Sequence, residues 1–389
     1  MMPGCIDARN AFRVVQVSFH ADEHERDAES LLRAWPTLLG VAAGVARAGV
    51  GVTVVQAASR DQTLSRDGVA FNFVHDPSIV PGAPSRRFTL PRRPRRVIDA
   101  VVAARPDVVH VQGLGHAIAT RQLMAAIPGV PVLVQDHASS APRLPRAIAW
   151  RWAYRELAGA AFAAREQGEA FVTTGVLPAR MPRFEVIEGS TDFTPGDTVS
   201  ARAASRLTGD PCLLWTGHLD ENKDPLTLLA AFRMAVARLP AARLWCCFGK
   251  APLLAPVQRL IAGTPELAPR VTLLGAQPHD RLEELFRSAD FFVQMSHREG
   301  CSYSTIEALA CGATPLVTDL PSSRRIVGDA GSLTPVGDAI AMAEAIVVWA
   351  GRDRARLRRA ARSRFDDALS YDVIGRDLRA AYEAIRASR

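Results

Sequence analysis

Apolar positions along this chain fall into short β-branched runs separated by longer segments of helical period. Residues 12–19 alternate and are rich in valine, which predicts a first strand. Residues 29–48 carry apolar positions at helical spacing up to Gly49, which predicts one continuous helix, and residues 50–57 predict a second strand. Strand, helix, strand at this spacing is a parallel βαβ unit. The runs at 108–111 and 132–134 predict two further buried strands. From Cys212 the alternation restarts. Strands are expected at 212–215, 244–248, 271–274, 290–293, 314–317 and 332–333, with a helix opening at Pro225, where proline suits the first turn. Further helices are expected at 336–350, 353–368 and 371–387. The fold class is therefore α/β, with two Rossmann-like parallel-sheet domains.

The densest chemistry follows the run at 291–295. Glu299 leaves that strand in a loop, and Glu307 sits eight positions later, one turn inside a short helix expected at 304–311. Ser302 or Ser304 can cap this helix, and Gly312 can stop it. Its free backbone N–H groups favour an anion. Acids flanking an anion site suit a ligand with hydroxyls at both ends and phosphates between, the shape of a nucleotide-sugar.

At 389 residues two domains are the prior, and 48% hydrophobic residues is ordinary for a globular chain. There is no run of eighteen apolar residues and no signal-peptide core near the start, so a cytoplasmic protein is expected. The six cysteines lack metal-ligand spacing and read as core thiols. The net charge of +7 is spread over both halves, which leaves no nucleic-acid footprint. Only Lys223 and Lys250 are lysines among 47 basic residues. In so arginine-rich a chain a lysine needs a reason, and a compact point charge suits a phosphate. An arginine cluster at Arg86, Arg87, Arg92, Arg93, Arg95 and Arg96 can meet anionic lipid or a phosphorylated acceptor, although a solvated face is the commoner outcome. Residues 139–157 combine tryptophan and arginine at helical spacing. They suggest a domain edge before a membrane anchor, so peripheral membrane contact is open but not favoured.

Glu299, seven residues, Glu307, then Ala308 and the small pair ending in Gly312 resemble the signature of the family 4 retaining glycosyltransferases of the GT-B fold. The likeness runs with motifs in order from about Leu213 to Val327, and more weakly over the first half. It implies two Rossmann-like domains facing across a cleft: an acceptor-side domain over 1–196, a nucleotide-sugar domain over 197–370, and a helix over 371–389 crossing back to the first. The polar stretch to about Asp210 is the expected boundary. The resemblance implies that Glu299 holds the transferred sugar and Glu307 the ribose. It gives the donor diphosphate to Lys223 and His218, with Gly217 and the N–H groups at Ser302, Tyr303 and Ser304. His218 stands where relatives carry arginine, so it acts either as a pH-dependent cation or as a neutral donor. Where relatives show Phe-Gly-Leu-Pro, this chain has Cys301-Ser302-Tyr303-Ser304. Gly275 and Gln277 fall in the loop that meets the base, and Lys250 is a further phosphate candidate. His137, at a strand end, corresponds to the histidine beside the sugar. Relatives carry a glycine-rich loop after the first strand, but no glycine occurs here between Phe19 and Leu39. His20, Asp22 and His24 become candidates for acceptor contact.

The implied reaction moves a hexose-type sugar from a nucleoside diphosphate sugar to an acceptor hydroxyl on a small molecule, a saccharide or a lipid-linked sugar. No Asp-x-Asp occurs, so neither a metal nor a cofactor beyond the donor is expected. Three rivals stay open. A nicotinamide dehydrogenase lacks its Gly-x-Gly-x-x-Gly after the first strand. A GT-B epimerase or phosphorylase would turn over without an acceptor. A non-catalytic sugar-nucleotide binder would not turn over at all.

Overall fold

The computed structural model describes residues 12–81, 93–138 and 140–388. Arg86, Arg87 and Arg92 of the arginine cluster lie outside the described residues. The chain divides into two compact units: residues up to Ser190 together with Tyr371–Arg389, and Thr191–Ser370.

Unit 1 contains β1 (Arg13–Ser18), β2 (Gly51–Ala58), β3 (Gln62–Arg66), β4 (Val69–His75), β5 (Val108–Gln112), β6 (Val132–Gln135), β7 (Gly159–Phe162) and β8 (Arg183–Glu185). Among the described residues they form one sheet in the order β3-β4-β2-β1-β5-β6-β7-β8, parallel except for β3. The central strands are near-continuous valine runs because helices cover both faces, which leaves no side for polar alternation. Val14, Val17, Val109, Val111 and Val134 are fully buried.

Besides adding β7, β8 and the helices Arg95–Ala103, Ala117–Ala126 and Arg165–Thr173, the structure departs from the sequence reading in three further places here. The helix expected over 29–48 is two helices, Ala28–Ala34 and Pro36–Arg47. Pro36 has no N–H to continue the first helix and instead opens the second. The break turns Trp35 out of helical geometry, at φ −122° and ψ 68°. Second, β3 and β4 form an antiparallel hairpin that the sequence reading passed over. Asp67 and Gly68, at φ +52° and +76°, make the left-handed two-residue turn that hairpins favour. Third, the tryptophan and arginine segment is helical only over Arg146–Tyr154. Trp150 and Tyr154 are buried, and the Tyr154 hydroxyl donates to the Leu114 carbonyl at 2.6 Å. No helix among the described residues is long and apolar enough to cross a membrane.

The last helix, Tyr371–Ala387, packs on the helix Pro36–Arg47 within unit 1. The approach is backbone to backbone. A Cβ added at Gly375 would lie 2.2 Å from the Gly44 carbonyl oxygen, and one at Gly44 would lie 2.2 Å from the Tyr371 carbonyl oxygen. Neither obstacle is a side chain that can swing away. Gly375→Ala is therefore expected to destabilise the protein by about 2–3 kcal/mol through forced separation of the helices. Urea unfolding would read this, and an unchanged midpoint would refute the packing argument.

Unit 2 contains β9 (Cys212–Gly217), β10 (Arg243–Phe248), β11 (Val271–Gly275), β12 (Phe291–Gln294), β13 (Thr314–Thr318) and β14 (Ser332–Thr334). They form an all-parallel sheet in the order β11-β10-β9-β12-β13-β14. Its core gathers Leu213, Trp215, Phe232, Phe291 and Val293. The polar stretch before Asp210 includes a helix, Thr198–Ser205, whose first turn is capped by Asp197 accepting from the Ser200 N–H at 2.7 Å. Five buried cysteines stand in this unit, and burial pushes the thiols of Cys212, Cys247 and Cys311 up to about 12.

Candidate active site

The chain of unit 2 runs β9, β10, β11 toward one edge, then returns to place β12 on the other side of β9. The sheet therefore changes winding direction between β9 and β12. Just beyond the carboxyl ends of those strands, open α/β sheets leave a crevice. The loop after β9 supplies Lys223, and the loop after β12 supplies Glu299.

These two side chains form an ion pair, Nζ to Oε1, with side-chain exposures of only 18% and 10%. Gln294, at the end of β12, donates to the same Glu299 oxygen at 3.2 Å and accepts from the Ser302 hydroxyl at 3.0 Å. Thr305 in turn donates to Ser302 at 2.8 Å. The two loops are also stapled by backbone and side-chain contacts. The Asn222 amide donates to the Arg298 carbonyl at 3.1 Å, the His297 N–H donates to the Asn222 carbonyl at 2.8 Å, and the His297 ring meets Asp224 at 3.1 Å. The Lys223 stem runs close over Gly217, whose added Cβ would touch it at 3.5 Å.

The helix following Glu299 spans Tyr303–Cys311 and ends on Gly312 at φ +83°. Ser302 occupies its N-cap position but makes no side-chain cap, because its hydroxyl is committed to Gln294. Ser304 accepts from the Thr216 hydroxyl at 2.7 Å, which ties the helix start to β9. Ser302 therefore does not cap this helix, whose amino-terminal end is the end where the helix dipole favours an anion. The Glu307 carboxyl has neither a hydrogen bond nor an ion pair among the described residues. Burial alone raises its carboxyl to about 8.

His218 and Lys250 meet at the ends of β9 and β10, where the Lys250 N–H donates to His218 Nδ1 at 3.2 Å. In that bond Nδ1 is the acceptor, which leaves Nε2 to face outward as the donor. Gly275 ends β11 at φ +69°, and Gln277 folds its amide back onto the Leu274 carbonyl at 2.8 Å. Gly275 and Gln277 follow the edge strand, two strands from β9.

In unit 1 the winding reverses between β1 and β5. His137 follows β6, with Nδ1 2.5 Å from Glu188 and Nε2 2.8 Å from Gln112. Burial opposes its charge, but the hydrogen bond and charge of Glu188, with Asp136 behind them, raise its pKa above the usual value. The acceptor candidates after β1 separate. His20 is exposed and stacks on Trp35 with ring centroids 5.7 Å apart. His24 is exposed beside Glu23. Asp22 is buried and paired with Arg26 at 2.7 Å, so it braces its own loop and does not present its carboxylate outward. Arg96 of the arginine cluster likewise turns to Asp61 at 2.7 Å.

Sequence reasoning passed over Gln294, Gln112 and Glu188 as site residues. Gln294 carried a signal, since a polar side chain inside a buried apolar run needs a partner. Among the described residues no three His, Cys, Asp or Glu converge as a metal site.

A two-unit parallel α/β protein with a cation and an acid at a sheet reversal has the layout in which open α/β sheets place a ligand. Residues 37–166 match the family model described as Glycosyltransferase Family 4, and residues 210–350 match that of Glycosyl transferases group 1. The chain belongs to the family 4 glycosyltransferases and has their GT-B fold. It is 26% identical over 248 residues, 60% of this chain and 61% of the relative, to a GDP-mannose:cellobiosyl-diphosphopolyprenol alpha-mannosyltransferase of Xanthomonas oryzae pv. oryzae. It is 32% identical over 188 residues, 46% of this chain and 42% of the relative, to a D-inositol 3-phosphate glycosyltransferase of Nocardia farcinica. The match spans about three-fifths or less of these relatives' lengths. In fold the chain is similar to sucrose-phosphate synthase from Thermosynechococcus elongatus, with TM-score 0.69 at 19% identity over 97% of this chain and 100% of that one. It is also similar to HepE of Anabaena in complex with UDP, with TM-score 0.67 at 15% identity over 96% and 100%.

Proposed function

We propose that this chain is a retaining glycosyltransferase. It moves a hexose-type sugar from a nucleoside diphosphate sugar to an acceptor hydroxyl, without a metal or other cofactor. The observation that carries this reading is the Lys223–Glu299 pair at the β9/β12 reversal, beside the amino-terminal end of the helix Tyr303–Cys311 and the buried Glu307 carboxyl. In this reading the diphosphate takes the Lys223 ammonium, the N–H groups at Ser302, Tyr303 and Ser304, and the His218 Nε2–H. Glu299, still held by Gln294, turns to the sugar hydroxyls. Glu307 receives the ribose hydroxyls, the donors its carboxylate otherwise lacks. Gly275 and Gln277 meet the base, and Lys250 adds a charge at the phosphate end.

Breaking the bond from the anomeric carbon puts charge on the β-phosphate, which oriented donors stabilise best away from water. The acceptor hydroxyl attacks on the face the phosphate leaves, and its proton passes to the departing phosphate. Configuration at the anomeric carbon is retained. Acceptor contacts are assigned to unit 1, with His137 as its catalytic candidate and His20 and His24 as acceptor candidates. Both relatives above are named for phosphorylated acceptors, a diphosphopolyprenol-linked saccharide and inositol 3-phosphate, which makes a phosphorylated saccharide, free or lipid-linked, the acceptor class to try first.

A thermal-shift screen over uridine, guanosine and adenosine diphosphates and their sugars tests the donor. One series is expected to raise Tm, with about 2.7 kcal/mol of stabilisation at a hundredfold excess over Kd. No shift with any of them at millimolar concentration would overturn the reading. Transfer to an acceptor, with the product's anomeric configuration read by NMR, separates the transferase from a silent binder and from an epimerase.

A further inference from the structure

The corner of unit 1 at the ends of β5 and β6 holds more charge logic than sugar contact requires. His137 is half-exposed, and both of its ring nitrogens face oxygen. Nδ1 lies 2.5 Å from Glu188 Oε2, and Nε2 lies 2.8 Å from Gln112 Oε1. Glu188 Oε2 is buried and, among the described residues, accepts no hydrogen bond, so what the Nδ1 side offers it is charge; a neutral imidazole has one N–H for Gln112 and none of that charge, whereas the imidazolium serves both oxygens. The Glu188 side chain is nearly buried, at 7% exposure, so an unpaired carboxylate there would be costly.

The surrounding groups agree. Asp136 precedes the ring in the chain and adds a second negative charge. On the β5 side stands His110, whose Nδ1 is 2.7 Å from the Tyr382 hydroxyl. Burial, with His137's charge behind it, pushes His110 down to about 3. His116, in the turn after β5, is pushed down to about 4 by burial and by the charges of His20 and His137. Four imidazoles thus share this end of the sheet, and among them His137 is the one held against a carboxylate.

We propose that Glu188 is a positioning residue that, together with Gln112, clamps His137 as an oriented, doubly protonated imidazolium for the glycosyl transfer assigned above. The proposal rests on that assignment for its role, and on the clamp geometry for the protonation. Glu188 fixes the ring through Nδ1. Gln112 holds the place of a substrate oxygen at Nε2, so a sugar hydroxyl or phosphate oxygen gains a charge-assisted bond by displacing a neutral amide.

Two readouts test it. The first is ring 15N NMR of the full chain, with the His137 signal identified by its loss in His137→Phe. Both nitrogens are expected to be protonated at pH 7.5 in the unmutated protein. In Glu188→Gln the titration midpoint should fall. A singly protonated ring in the unmutated protein would overturn the proposal, whether or not the variant folds. The second is the pH profile of kcat/KM. Glu188→Gln should move its alkaline limb to lower pH, with a loss of about tenfold or more at pH 8 that largely recovers near pH 6. Glu188→Asp should restore much of the profile. A loss equal at every pH would make Glu188 merely structural and overturn the proposal. Absence of any turnover would instead sink the transferase reading, and the NMR result would still decide the clamp.

Discussion

Glu307→Gln is expected to make the protein more stable and its nucleotide binding worse. In the folded chain burial raises this carboxyl from 4.5 to about 8, and no described group donates to it. Between those two values the folded state keeps a proton that the unfolded state has released. Stability therefore falls as pH rises from about 4.5 to 8 and is level above that. Glutamine removes this contribution. The variant should gain on the order of 2 kcal/mol at pH 8, less than the full shift implies because the side chain keeps some contact with water, and almost nothing at pH 4.5. Urea unfolding at pH 4.5, 7 and 8.5 would measure the difference, and a gap independent of pH would refute the assignment. Binding should move the other way. Loss of a charged acceptor for two ribose hydroxyls should weaken nucleoside diphosphates by about 10- to 100-fold. Inorganic pyrophosphate, which has no ribose, should bind as before. The unmutated protein should also bind nucleotide more tightly as pH rises toward 8, because the carboxylate form is the one the hydroxyls prefer.

Lys223→Ala should give the complementary pattern. The residue supplies a half-buried ammonium where diphosphate charge is expected, and its removal should lower kcat/KM by about 100- to 1,000-fold. Pyrophosphate affinity should fall with it, while the free nucleoside should bind unchanged. The variant also strands Glu299, at 10% side-chain exposure, without its cation. A stability loss of about 1–3 kcal/mol is expected, below that of a fully buried pair because Gln294 still donates to the carboxylate. Lys223→Arg should recover stability better than activity, since a planar fork does not reproduce a point charge over Gly217. Unchanged pyrophosphate affinity in Lys223→Ala would remove the diphosphate assignment.

The repeating strand and helix pattern of both halves was readable because parallel strands buried on two faces leave unbroken apolar runs. Lys223 was readable for a different reason: a rare residue type at a motif spacing stands out against an arginine background. What the sequence hid was mostly pairwise. Nothing local to His137 announces that Glu188, 51 positions later, will face it. Ser302 looked like a helix cap, yet Gln294 takes its hydroxyl, so the cap preference yields to a tertiary partner. Asp22 looked like a loop acid free to meet a substrate, but Arg26, four residues on in the same loop, pairs with it. Pro36 was the one local signal that should have prevailed over periodicity, because a missing N–H cannot be compensated inside a helix.

The contact of Gly44 with the helix Tyr371–Ala387 has a bearing on biosynthesis. A nascent chain emerges amino end first, so the surface of the helix Pro36–Arg47 that receives this partner is made more than 300 residues before the partner exists. Unit 2, contiguous from Thr191 to Ser370, is fully synthesised in that interval and can reach its native state while its predecessor is still open. Synthesis of the helix Tyr371–Ala387, rather than of the residues up to Ser190, then sets the moment at which the unit 1 sheet acquires its final cover.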